Sequence, residues 1–134
     1  MDPRPSALGL TLCDRIIVDH FTGQPSLFSI FTGLQVDEFP TQPTRFSACV
    51  MLTGGVGGGI MELRAIQLAT GDQIYARRGR VNFPDRSDIV SVFLRMQSIA
   101  FPAPGFYLFQ LLIDDELIEG AQRRIRVYRK RGVS

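Results

Sequence analysis

The sequence predicts an all-β protein, a single antiparallel β-sandwich of about seven to nine strands with Greek-key or immunoglobulin-like connections. Short apolar runs recur along the chain, each closed by Gly, Pro, Asp or Asn, and such spacing is typical of sandwiches and barrels. Several runs alternate apolar and polar residues, as half-buried strands do. The chain has 134 residues, 45% of them hydrophobic and 21% charged, which suits one domain over residues 1–134 with a core of its own.

The first part of the chain supplies three predicted strands, 10–20, 26–36 and 45–53. The second ends before Phe39-Pro40, because proline restricts the preceding residue and has no N–H to donate. The third strand is apolar on both faces, which predicts a place in the middle of a sheet. One face carries Phe46, Ala48, Val50 and Leu52, and the other carries Cys49 and Met51.

The second part supplies predicted strands at 60–68, 73–78 and 87–99, with a break at residues 82–85. The segment 87–99 is ambiguous, because its apolar residues also fall at helical spacing behind a Ser-Asp pair that would cap a helix. Alternation of its apolar residues and strands on both sides favour a strand. The alternating residues are Val90, Val92, Leu94 and Met96.

The pattern at the end of the chain predicts a β-hairpin with one solvent-exposed face. A bend at 101–105 leads into a strand over 106–113, and an acidic tip at 114–116 leads into a return strand over 117–128. Ile125 and Val127 are predicted to face inward. Only residues 1–7 and 130–134 are predicted to be tails.

The sequence resembles an uncharacterised bacterial family of domain-of-unknown-function proteins from about residue 10 to residue 128. The likeness rests on Cys13-Asp14-Arg15-Ile16-Ile17-Val18-Asp19, Phe28-Ser29-Ile30-Phe31, Phe39-Pro40, Phe101-Pro102-Ala103-Pro104-Gly105-Phe106-Tyr107-Leu108-Phe109 and Ile113-Asp114-Asp115-Glu116-Leu117. The resemblance implies a compact β-sandwich, and it supplies no catalytic residues to carry over.

Residues with catalytic or metal-binding chemistry are sparse in this sequence. His20 is the only histidine, so a nucleophile–histidine arrangement would have to place it beside Cys49 or a carboxylate. Neighbouring carboxylates lie in predicted turns, where Asp bonds the local backbone. We therefore predict a non-catalytic protein with no catalytic residue, no metal site and no cofactor, and keep a small enzyme using His20 as an alternative.

A glycine-rich segment, residues 54–59, lacks the Gly-Lys-Ser/Thr sequence and the strand–loop–helix setting of a phosphate-binding loop. The segment is instead predicted to be a flexible hairpin tip. Its glycines are Gly54, Gly55, Gly57, Gly58 and Gly59.

The charge is concentrated at the C-terminus. Residues 123–134 carry six basic residues and no acid, whereas the first 122 residues carry nine basic and thirteen acidic residues. If 123–128 were an outer strand, its arginines would form a row that either prevents edge aggregation or binds an acidic protein, a nucleic acid or an anionic lipid. The candidate partner-binding residues are Arg124, Arg126, Tyr128, Arg129, Lys130 and Arg131.

These patterns predict an interaction or structural module that self-associates, with a protein as partner and possible homo-oligomers. The alternative is a binder of nucleic acid or another anionic surface through the basic C-terminal strand and tail. Two cysteines in apolar stretches predict buried thiols rather than a disulfide scaffold. The N-terminus does not resemble a signal peptide and no run is long enough for a transmembrane helix, so a cytoplasmic protein is expected.

Overall fold

The computed structural model describes residues 5–85 and 88–130, and this part of the chain folds into nine strands in two packed sheets. The predicted β-sandwich class is therefore confirmed. The strands are β1 (Ser6–Val18), β2 (Pro25–Ile30), β3 (Gly33–Val36), β4 (Thr44–Thr53), β5 (Gly57–Gln67), β6 (Gln73–Phe83), β7 (Val90–Ile99), β8 (Gly105–Ile113) and β9 (Glu116–Arg129).

The strands divide into a four-stranded sheet A, in the order β2-β1-β4-β7, and a five-stranded sheet B, in the order β3-β9-β8-β5-β6. Three antiparallel hairpins, β1–β2, β5–β6 and β8–β9, join neighbouring strands. The other connections cross between the sheets and create the non-consecutive neighbours. One pair departs from the predicted antiparallel arrangement, because β3 runs parallel to β9.

The predicted strand 26–36 is two strands in different sheets. β2 pairs with β1 in sheet A, whereas β3 pairs with β9 in sheet B. The chain crosses at Phe31, whose N–H donates to the Leu12 carbonyl and whose ring meets the Phe46 ring edge-on at 5.3 Å. The continuous apolar pattern concealed this crossing, because Phe31 is itself packed against the core.

Several boundaries also differ from the sequence predictions. β1 begins at Ser6, so residues 6 and 7 belong to a strand instead of the predicted tail, and residues 1–4 and 131–134 of the predicted tails lie outside the described residues. β6 continues past residue 78 to Phe83. The ambiguous segment 87–99 is a strand from Val90 to Ile99, as predicted. Lys130 lies beyond β9, and its N–H donates to the Val36 carbonyl at 2.7 Å.

The core lies between the inward faces of the two sheets. β4 occupies the middle of sheet A, as its two apolar faces predict, and its Phe46 packs edge-on against Phe109 of sheet B with ring centroids 5.9 Å apart. Burying such side chains contributes roughly 1.5–3 kcal/mol each. The largest fully buried side chains are Tyr107, Phe101, Phe109, Leu10, Leu12, Leu52, Leu63, Met96, Ile99, Leu111, Ile125 and Val50.

Tyr107 fixes the bend that precedes β8. Its hydroxyl donates to the Ala103 carbonyl at 2.6 Å and accepts from the Ala103 N–H at 3.3 Å. Burial raises the pKa of the Tyr107 hydroxyl, and the ring packs against Phe101 at 4.8 Å. The bend is therefore stabilised by a buried side chain as well as by its prolines. The acidic hairpin tip is confirmed, since Asp114 and Asp115 have the positive φ angles that a two-residue type I′ turn requires.

Candidate functional site

The outward face of sheet B carries a set of positively charged side chains across four strands. Register places Glu62 and Arg64 of β5 opposite Arg78 and Ala76 of β6, on the face opposite the core residues. We name as the basic face the side chains of Glu62, Arg64, Arg78, Arg80, Phe106, Arg124, Arg126, Tyr128 and Lys130. This set contains six cations and a single carboxylate.

Arginines cover two aromatic rings on β8 and β9. The guanidinium carbon of Arg124 lies 4.8 Å from the centroid of the Phe106 ring, and that of Arg126 lies 5.2 Å from the Tyr128 centroid. Both distances are within cation–π range. The Gln35 side chain of β3 donates from Nε2 to the Tyr128 hydroxyl at 3.2 Å. These contacts hold the cations and rings close together on an open sheet surface.

Two more arginines of the basic face, Arg64 and Arg78, have polar partners. Arg64 donates from Nε to Oε1 of Gln110 at 3.2 Å. Arg78 donates to Glu62 at 2.9 Å, and this hydrogen bond and the charge of Glu62 raise the pKa of Arg78. The pair leaves the Arg78 side chain 67% exposed, so its attraction is strongly screened by water. Phe106 is 45% exposed and Arg124 and Arg126 are exposed.

The structure shows where the residues of the predicted row on β9 lie, and their predicted role in binding a partner stays a prediction. Arg124, Arg126 and Tyr128 lie on one face, alternating with buried Ile125 and Val127. The premise of an outer strand was wrong, because β3 pairs with β9 from Arg126 to Arg129 and covers that edge. Arg129 alternates to the opposite face from Tyr128. Arg131 lies outside the described residues.

The glycine-rich segment is not the predicted flexible hairpin tip. It connects sheet A to sheet B, and Gly57–Gly59 form the start of β5, paired with Phe83–Val81 of β6. A Cβ at Gly55 would approach the Phe83 ring to 2.7 Å, and one at Gly59 would approach Ile113 to 2.9 Å. Close packing therefore requires these glycines. The segment lines a groove of about 540 Å³ beside Asp114 and Glu119.

The outward face of sheet A differs, because exposed isoleucine and phenylalanine side chains lie there among the polar side chains of Arg15, Ser47 and Arg95. Register aligns Cys13, Arg15 and Ile17 of β1 with Ile30, Phe28 and Ser26 of β2, and Cys49 of β4 with Phe93 of β7. We name as the apolar face the side chains of Cys13, Ile17, Phe28, Ile30, Cys49 and Phe93. Its exposed members are Ile17 at 50%, Phe28 at 40%, Ile30 at 61% and Phe93 at 37%.

The two cysteines of the apolar face are free thiols. Cys13 opposes Ser47 and Thr11 opposes Cys49, so the two cysteines are diagonal neighbours on adjacent strands. Both are buried and unbridged. Burial raises the pKa of both thiols, and the neighbouring Cys49 raises that of Cys13 further. At neutral pH each thiol therefore carries less of the reactive thiolate than a free cysteine.

The structure does not bring His20 and Cys49 together. His20 is exposed in the β1–β2 turn, where its ring contacts Phe21 at 5.3 Å, whereas Cys49 is buried within β4. In the same turn the Asp19 carboxylate accepts the backbone N–H groups of Thr22 and Phe21, which lowers the pKa of Asp19. Within residues 5–85 and 88–130, His, Cys, Asp and Glu side chains form no group of three able to hold a metal ion.

Sequence reasoning missed most of both faces. Arg64 and Phe106 were assigned to strands without a partner role, and Phe28 and Phe93 were counted only as apolar residues. Alternation within one strand shows that two residues share a face, but it does not show which strands are neighbours. The missing information was the strand order that brings β5, β8 and β9 side by side.

Comparison with known families agrees with this architecture. A family model described as a family of unknown function, DUF6941, matches residues 8–127. The chain belongs to this family. Membership of DUF6941 confirms the predicted resemblance to an uncharacterised domain, and no curated protein matches the chain. No described helix of this DUF6941 member is long and apolar enough to cross a membrane.

Proposed function

We propose that this protein is a non-catalytic interaction module that self-associates through the apolar face of sheet A. The observation that supports the proposal is the exposure of Ile17, Phe28, Ile30 and Phe93 on one sheet surface. Monomeric proteins rarely expose large contiguous apolar patches, and such patches mark interaction sites. A second copy can cover the patch by two-fold symmetry, because an isologous contact places the same patch on both subunits.

The burial available at this face predicts a concentration-dependent dimer rather than a permanent one. Full burial of an apolar side chain is worth roughly 1.5–3 kcal/mol, and the four side chains are already about half buried. A symmetric dimer would thus gain about 8 kcal/mol from the eight side chains. Association costs about 4–15 kcal/mol in lost freedom of motion, so the gain and the cost are of similar size.

The outward face of sheet A carries three exposed cations, Arg15, Arg45 and Arg95, among its apolar side chains. Arg15 is the cation that lies beside Phe28, with its guanidinium carbon 5.0 Å from the ring centroid. An arginine so placed can bury its stem along the ring and keep its charged end in water. Contact between two copies therefore does not require the arginine to lose its hydration.

Sedimentation velocity over a range of protein concentrations tests the proposal. We expect a concentration-dependent dimer at both low and high salt, because salt screens charges but does not weaken apolar contacts. Ile30→Arg should shift the protein to monomer by placing a charge in the contact. The matched control is Ile60→Arg, a 44% exposed isoleucine on sheet B, which should leave the dimer intact.

The result can contradict the proposal in two ways. A monomer at every concentration and salt level excludes self-association. Equal dissociation by Ile30→Arg and Ile60→Arg excludes the apolar face as the contact. Folding of each variant is checked by circular dichroism and thermal unfolding, and Ile30→Ser serves as a milder variant if the arginine disturbs β2.

A cytoplasmic location in a bacterial cell is proposed with this function. It is supported by the free thiols of Cys13 and Cys49, since the cytosol keeps thiols reduced, and by the sequence resemblance to a bacterial family. Fractionation of the native cell with an antibody against the full chain tests the location.

A further inference from the structure

We propose that the basic face of sheet B is a binding site for single-stranded nucleic acid. This inference concerns a different surface from the apolar face and does not depend on self-association. It rests on three features of the basic face: an excess of cations, aromatic rings held among those cations, and a position on the exposed surface of one sheet.

The cation excess matches a phosphate backbone. Among the side chains of the basic face, six are cationic, and the single carboxylate, Glu62, is paired with Arg78. Arg124 and Arg126 alternate along one strand, so they are about 6.6 Å apart along β9. Lys130 continues the row just beyond the strand. Arginine provides a planar fork of donors that suits phosphate oxygens.

The aromatic rings favour nucleic acid over an acidic protein. Phe106 opposes Arg126 in the β8–β9 register, and Tyr128 follows Arg126 on the same face. Bases stack on aromatic side chains and on guanidinium planes, and both kinds of plane occur here within cation–π distance of one another. Gln35 restrains Tyr128 through its hydroxyl, which lowers the entropy cost of ordering the ring on binding.

The shape of the face favours a single strand over a duplex. A duplex is read by a helix or a two-stranded ribbon that enters the major groove, whereas the basic face spans β9, β8, β5 and β6 of one sheet. A single strand can lay its bases on such a surface, because they are not already stacked in a helix. The exposed amide of Gln122 and the polar pair Arg64–Gln110 add hydrogen-bonding groups beside the rings.

Fluorescence anisotropy with the full-length protein tests this proposal. The probe is a fluorescein-labelled 15-nucleotide oligouridylate, titrated at 50 and 200 mM salt. We expect binding that weakens with salt, because cations that contact phosphates release counterions. A 15-base-pair duplex of mixed sequence should bind more weakly, and polyglutamate of equal charge should compete poorly.

Matched variants separate the charge contribution from the stacking contribution. Arg124→Ala with Arg126→Ala should lower affinity about tenfold and reduce the salt slope by about 1.4, at about 0.7 per lost phosphate contact. The control is Arg45→Ala with Arg95→Ala, two exposed arginines of sheet A, which should change little. Phe106→Ala and Phe106→Leu should each lower affinity about fivefold or more with an unchanged slope, whereas Phe21→Ala, at a 93% exposed ring, should not.

Several outcomes would overturn the proposal. Absence of binding at 50 mM salt excludes the site. Equal loss from the two arginine pairs shows attraction by overall charge only. If polyglutamate competes as well as oligouridylate and Phe106→Leu has no effect, the face binds acidic polymers such as protein surfaces instead. Tighter binding of the duplex excludes the single-strand assignment.

Discussion

The outward faces of sheets A and B have different chemistry although they enclose the same core. Sheet A presents half-exposed isoleucine and phenylalanine side chains beside two buried thiols. Sheet B presents arginines stacked on aromatic rings and bonded to amide and carboxylate groups. Inward residues of both sheets must be apolar for the sandwich to form. The outward residues are free of that requirement, so their difference points to function.

The same contact type shows how the two faces differ. Each face pairs an arginine with a phenylalanine, Arg15 with Phe28 on sheet A and Arg124 with Phe106 on sheet B. On sheet A the pair borders an apolar surface, and on sheet B it lies among further cations. An arginine–aromatic pair alone therefore does not show what a surface binds. Its neighbours decide whether the surface excludes water or attracts anions.

The largest predicted difference comes from adding one carboxylate to each face. Cys49→Asp should destabilise the protein by about 3 kcal/mol or more, because it buries a charge among apolar groups. Gln110→Glu should cost less than about 1 kcal/mol, because the new carboxylate would accept a charge-assisted hydrogen bond from Arg64. Urea unfolding at pH 7 measures both. Equal destabilisation by the two variants would show that positions 49 and 110 are equally shielded from water.

Thiol reactivity gives a second, smaller contrast. Cys13 and Cys49 should react with iodoacetamide more slowly than a free cysteine, because burial raises the pKa of both thiols. The rate should keep rising with pH above the ordinary thiol range, since the thiolate forms only there. Phe93→Ala should speed labelling of Cys49, which lies opposite Phe93 in the register, while Phe106→Ala on sheet B should not. Fast labelling of the unmodified protein would contradict the burial of these groups.

The smallest predicted effect tests the one carboxylate of the basic face. Glu62→Gln should hardly move the unfolding midpoint, because Arg78 is largely exposed and the pair is screened. The same change removes the local counter-charge and should raise affinity for oligouridylate slightly. Glu38→Gln, an exposed carboxylate in the β3–β4 connection, is the control for net charge. An equal gain from both variants would assign the effect to overall charge.

The sequence pattern predicted the sandwich class and much of its core. Alternation identified the two faces of β4 and the inward side of β8 and β9, because period-two burial depends only on the strand itself. The Asp114–Asp115 tip was also predictable, since two-residue turns select residues that tolerate positive φ. These features depend on residues that are close together in the chain, so they can be predicted from a single sequence.

The features that sequence reasoning missed depend on distant residues. The split between β2 and β3 depends on which sheet each segment joins, and β3 reaches β9 across more than ninety positions of chain. The close packing at Gly55 and Gly59 depends on Phe83 and Ile113. Only the part of the basic face on β9 was predicted. Arg64 and Arg78 belong to the face because β5 and β6 lie in the same sheet as β9, and the sequence pattern did not show that order.

The short crossing from β2 to β3 gives the two faces a mechanical connection. Ile30 ends the strand that borders sheet A, and within five residues Gln35 reaches the Tyr128 hydroxyl on sheet B. We expect a partner that immobilises one end of this crossing to restrict the other end as well. If both surfaces are used, occupancy of one alters the affinity of the other by the same factor in each direction, as thermodynamic reciprocity requires.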